Sequence, residues 1–153
     1  MSSERGAAMV EMAVVVPFFL LLVFGVIEAS WAFAQANDAH HGVREGARLA
    51  AVDFSDDDPA TTDDVLAEMC ARMELAGGAG TFATLTIAQP NTDGFAARGA
   101  TGNSSVTVSY QSLTGFLDFI FGGLTLSSDV NFLLEAPLDK SDATWTGTLE
   151  CVP

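Results

Sequence analysis

Glu11 is a carboxylate at the mouth of an apolar run that passes through Val14-Val15-Val16-Pro17-Phe18-Phe19 and on to Ile27. An ionised carboxylate in hydrocarbon costs roughly 2.5–3.5 kcal/mol even on lenient insertion scales, so it must be neutralised or paired. Five residues upstream stands Gly6, beside a short polar leader that carries Arg5. A cut after Gly6 would make Ala7 the first residue, with a free ammonium, and Glu11 the fifth. The chemistry then available is an ion pair between Ala7 of one subunit and Glu11 of its neighbour.

Other residues offer less. Glu28 is a second acid inside the apolar run, expected either to snorkel to the outer interface or to pair with a partner helix. Cys70 and Cys151 are separated by 80 intervening residues, without metal-ligand spacing. In an oxidising compartment they are expected to form a disulfide that ties the tail to the body, with two separately buried thiols as the alternative. Asp38, His41 and Glu45 fall on one helical face, but without a fourth ligand they read as a solvated surface and not as a metal site. The acids Asp53, Asp56, Asp57, Asp58, Asp63 and Asp64 have no recognised calcium-loop spacing and read as loop and capping residues. No nucleophile–base constellation, phosphate loop or dinucleotide fingerprint occurs. The expectation is a non-enzymatic protein without cofactor or metal.

These residues need elements to hold them. From Ala7 to Val52 only Pro17 strongly opposes a helix, and a membrane or packed bundle tolerates its kink. Met12–Ala34 contains a single charge, Glu28, and exceeds the about 20 residues needed to cross a bilayer. Beyond Ala34 the pattern turns amphipathic, with Val43, Ala47, Ala50 and Ala51 inward and Asp38, Arg44, Glu45 and Arg48 wet. A turn-rich stretch at 54–62 follows, in which Asp58-Pro59 suits a helix start. Val65, Leu66, Met69, Cys70 and Met73 then recur at helical spacing. Alternation at Ala83–Ile87, Val106–Tyr110 and Val130–Leu134 predicts strands, with a polar loop at 89–102 and an edge strand near 144–149. Leu113, Phe116, Leu117, Ile120, Phe121 and Leu124 share one helical face. The cluster Phe116, Phe119, Ile120 and Phe121 reads as core or covered loop, or as a surface for a partner or the membrane interface. The sum is an α+β chain: a leader at 1–6, a transmembrane and amphipathic helix at 7–52, and an acidic α+β domain at 53–153.

Composition agrees with that division. The 153 residues suit one domain with a core, and the mean hydropathy of +0.33 is concentrated in the N-terminal run. Of the net charge of −14, residues 1–52 carry −2, leaving −12 on residues 53–153. So acidic a domain would repel phosphate, which excludes nucleic acid as a partner. It suits a solvated domain outside the cytoplasm.

Residues 1–52 resemble the N-terminal region of TadE-like pseudopilins of the tight-adherence branch of type IV pilus systems. The matching stretches are Arg5-Gly6-Ala7-Ala8-Met9-Val10-Glu11-Met12, the apolar run with Pro17, Phe24-Gly25-Val26-Ile27-Glu28, and Arg44-Glu45-Gly46-Ala47-Arg48. Val106–Tyr110 and Leu124–Glu135 resemble the family's C-terminal sheet more loosely. Met12 departs from the family, which often has an aromatic residue there. The resemblance implies a pilin-like fold, cleavage after Gly6 by a prepilin peptidase, and a bacterial cytoplasmic membrane location with the C-terminal domain outside. It also implies other pilin subunits, a pilus assembly platform and the lipid bilayer as partners, in fibre assembly, adhesion or secretion. The alternative is an uncleaved single-pass membrane protein whose ectodomain binds a ligand or partner.

Overall fold

In a computed structural model, residues 2–52, 62–74, 76, 80–87, 99–115, 120, 122–135 and 146–151 are described. Helix α1 spans Ser2–Ala51 and runs through Pro17 without interruption, and α2 spans Thr62–Ala71. Strands β1 (Thr81–Ile87), β2 (Thr101–Ser109), β3 (Thr125–Leu133) and β4 (Thr146–Glu150) form one antiparallel sheet in the order β3-β2-β1-β4. The chain is therefore α+β, with a long apolar N-terminal helix, a second short helix and a small antiparallel sheet, as the patterning predicts. The Asp58-Pro59 helix start lies outside the described residues.

Two compact units are present: Met1–Phe33 with Gln111–Gly122, and Ala34–Tyr110 with Gly123–Pro153. The second unit contains the hydrophobic core. Val43 and Ala50 of α1, Leu66 and Met69 of α2, and Leu85, Val106 and Val108 of the sheet are buried together. Strand β1 alternates strictly, with Thr81, Ala83, Leu85 and Ile87 buried, because one face of a pleated strand meets the core and the other meets solvent.

Two glycines make the helix–helix contact possible. A Cβ on Gly42 would come within 2.6 Å of Met73 Cγ, and one on Gly46 within 2.3 Å of Met69 Sδ. Each methionine thus occupies the space of a missing side chain, and Met69 also accepts a hydrogen bond from the buried Ser104 hydroxyl at 3.5 Å. Polar contacts complete the fit: the Ala76 N–H donates to Asp38 Oδ2 at 2.9 Å, and Glu135 N–H donates to the Ala51 carbonyl at 2.8 Å.

The loop expected at 89–102 ends earlier than its composition suggests. Thr101 and Gly102 belong to β2, where Gly102 pairs with Phe132 of β3. A Cβ on Gly102 would meet the Phe132 ring at 2.3 Å, so this glycine provides the bed for an aromatic ring within the sheet. The hairpin between β2 and β3 is closed by the Tyr110 N–H donating to the Leu124 carbonyl at 2.9 Å.

Candidate functional site

The residues singled out for chemistry fall into three places. Gly6, Ala7 and Glu11 lie in the first turns of α1 and are exposed. All side chains from Gly6 to Leu22 are exposed, including Met9, Phe18 and Phe19. A helix apolar on every side and uncovered by its own chain requires an apolar surrounding. By length and composition α1 can cross a membrane. Gly6 has nothing within 4 Å of where its Cβ would stand, whereas Gly42 and Gly46 are dictated by packing. Nothing in the described fold demands a glycine at position 6.

Cys70 at the end of α2 and Cys151 just beyond β4 stand at disulfide distance, with Cα atoms 5.1 Å apart. The bond holds the last sheet strand against α2. Among the aromatic cluster, Phe116, Phe119 and Phe121 lie outside the described residues, and Ile120 is exposed. Leu113, from the same helical face, is also exposed. Neither of these described residues is core.

Glu28 corrects its sequence expectation. Its side chain is 1% exposed, covered by a turn of its own chain and not by a partner helix. The Ser112 hydroxyl donates to Glu28 Oε1 at 2.8 Å and the Thr114 N–H at 2.9 Å, joined by the Thr114 hydroxyl. The Leu113 N–H donates to Oε2 at 3.4 Å. Burying an acid without partners is costly, and these hydrogen bonds, worth about 1.5–3 kcal/mol each when the acceptor is charged, offset that cost. The turn is organised internally as well. Gly115, at φ +67°, donates its N–H to Ser112 Oγ at 2.8 Å, which polarises the Ser112 hydroxyl towards Glu28. One turn further along α1, Trp31 Nε1 donates to the Gln111 carbonyl at 3.0 Å.

The sequence reading missed this site. Ser112, Thr114 and Gly115 carry a turn signature, but nothing in it names Glu28 as the acceptor.

Glu45 and Arg48, from the REGAR stretch, form a two-point ion pair on the wet face of α1 at 2.6 and 3.0 Å. That hydrogen bond with Arg48 holds the Glu45 carboxyl below the ordinary glutamate value of 4.5, against a smaller opposing effect of burial. The Arg48 guanidinium is correspondingly raised. His40 Nδ1 bonds the Ser128 hydroxyl at 2.7 Å, and His41 is exposed.

With this geometry in view, a family model described as TadE-like protein matches residues 6–48. Over these residues the chain is similar to that family. The match opens on Gly6, spans Glu11, Pro17 and Glu28, and closes on Arg48 of the REGAR stretch. Comparison with curated proteins and with solved structures returned no match.

Proposed function

We propose that this TadE-like chain is a non-enzymatic minor pilin of a tight-adherence pilus, made as a membrane prepilin and cut after Gly6. The observation that carries the proposal is the family match, which begins at the glycine that the fold itself does not need. A side-chain-free residue suits a peptidase that must approach the backbone closely. Cleavage gives Ala7 a free ammonium, and Glu11 lies one helical turn further on.

In the bilayer the uncovered run from Gly6 to Leu22 is solvated by lipid. In a fibre it packs against the same run of other subunits, and Glu11 of one subunit meets the ammonium of Ala7 on the next. Breaking such a buried pair typically costs about 3–5 kcal/mol, so only the stagger that satisfies both charges is stable. The acidic domain stays outside the cytoplasm, cross-linked through Cys70 and Cys151. The subunit acts through the prepilin peptidase, other pilins and the assembly platform, in fibre assembly, adhesion or secretion.

Intact mass and N-terminal sequencing of the protein purified from membranes test this reading, and the expected start is Ala7. A mature protein that begins at Met1 or Ser2 would overturn it in favour of an uncleaved single-pass protein. Gly6→Arg is expected to block processing. Glu11→Ala is expected to be processed normally but excluded from fibres, and its normal incorporation would remove the ion pair from the mechanism.

A further inference from the structure

The turn at Gln111–Gly115 satisfies its backbone in an unusual way for a surface loop. Three consecutive amides, of Leu113, Thr114 and Gly115, all donate to side chains of the same unit, two to Glu28 and one to Ser112. The Gln111 carbonyl accepts from Trp31. Water would satisfy such groups without help, whereas hydrocarbon would not, so a turn bonded internally can sit at the edge of the hydrocarbon without leaving polar backbone exposed to it. Amid these satisfied amides the Leu113 side chain is 55% exposed.

The level along α1 points the same way. Met9 and Glu28 are 19 residues apart, about 28 Å at 1.5 Å per residue, close to the ~30 Å thickness of bilayer hydrocarbon. With Met9 near the inner boundary, Glu28 and the amides bonded to it come to the outer boundary. Trp31 stands one turn beyond, where tryptophans concentrate in membrane proteins. Val26, Ile27 and Phe33 remain exposed on α1 around this level. Apolar side chains are therefore uncovered on α1 at the level where the Glu28-bound turn presents Leu113.

We infer that Glu28, by clasping the Gln111–Gly115 turn, seats Leu113, and Ile120 beyond it, in the outer headgroup boundary of the lipid bilayer. Glu28 is a positioning residue: its carboxylate holds the turn at a fixed depth, and the exposed apolar side chains are what enter the boundary. This rests on the reading of α1 as a membrane-spanning helix.

The test uses the full chain in vesicles of phosphatidylethanolamine and phosphatidylglycerol, with Cys70 and Cys151 oxidised. Single cysteines at Leu113→Cys, Ile120→Cys and Phe19→Cys carry an environment-sensitive fluorophore. Lipids with a quencher near the headgroup or near the bilayer centre then report depth. Phe19→Cys is expected to be quenched most by the deep label, and Leu113→Cys and Ile120→Cys by the shallow one. Glu28→Ala is expected to reduce shallow quenching at Leu113→Cys several-fold and leave Phe19→Cys unchanged. Quenching by aqueous iodide and not by lipid at Leu113→Cys and Ile120→Cys, with Phe19→Cys still lipid-quenched, would overturn the inference and leave the membrane reading intact. Blue-shifted emission quenched by neither would overturn it too, by assigning the surface to a protein partner. Failure of lipid quenching at Phe19→Cys would overturn the membrane reading and this inference with it.

Discussion

Thr114 gives both its backbone N–H and its hydroxyl to one oxygen of Glu28, across 86 residues of sequence. This doubled contact makes the turn dependent on a single carboxylate. Glu28→Ala is expected to expose the Leu113 and Thr114 amides, raising their hydrogen-exchange rates by at least about tenfold, since one lost charge-assisted bond is worth about 1.5–3 kcal/mol. Glu28→Gln keeps one oxygen acceptor and should fall between. Exchange in detergent micelles, followed by mass spectrometry of the 111–115 region, measures it.

Gly46→Ala sets two effects against each other. Alanine gains up to about 1 kcal/mol in helix propensity, but its Cβ would lie 2.3 Å from Sδ and 2.4 Å from Cγ of the buried Met69. Overpacking costs typically about 1–3 kcal/mol, and the nearby Ser104 hydroxyl limits where Met69 can retreat. A net loss of about 1 kcal/mol is expected in denaturant unfolding. Gly25→Ala, with nothing within 4 Å of the new Cβ, should not destabilise. Equal effects at the two positions would contradict the packing account.

Removal of the disulfide should be costly. Cys70 and Cys151 close a loop with a sequence separation of 81, for which chain-entropy arithmetic gives about 4.5 kcal/mol. Cys151→Ser should lower the urea midpoint and raise exchange in β4 before β2, because β4 pairs only with β1 among the described strands. A midpoint that does not move would show that packing alone holds the tail.

The Glu45–Arg48 pair predicts a small acid effect. Because the folded Glu45 pKa is lowered, its stabilisation is present above 4.5 and is lost as pH falls below that value towards the folded pKa. Arg48→Gln should bring the Glu45 titration midpoint, read from its carboxyl NMR shift, up towards 4.5. Overall stability should hardly change, since the arginine side chain is 64% exposed and such pairs are worth little.

How much the sequence disclosed followed from how local the signals are. Alternation in Thr81–Ile87 and helical spacing in Val65–Met73 located β1 and α2 because each pattern repeats within a few residues. Thr101 and Gly102 were misplaced in a loop because their roles in β2 depend on Phe132, 30 residues away from Gly102. Gly46 was legible as a family mark, but its cause, a methionine on another helix, was not. The partners of Glu28 were invisible for a similar reason. A serine, a threonine and a glycine announce that the chain bends, and their spacing carries no information about which distant acid the bend will meet.

The bond from the Tyr110 amide to the Leu124 carbonyl has a consequence for how this chain can change. It brings the residues on either side of the 111–123 segment together, next to the Ser109–Thr125 pairing. Such a segment can be lengthened, shortened or exchanged while every strand keeps its register. The pairing of β2 with β3 is thus insulated from sequence change between Tyr110 and Leu124.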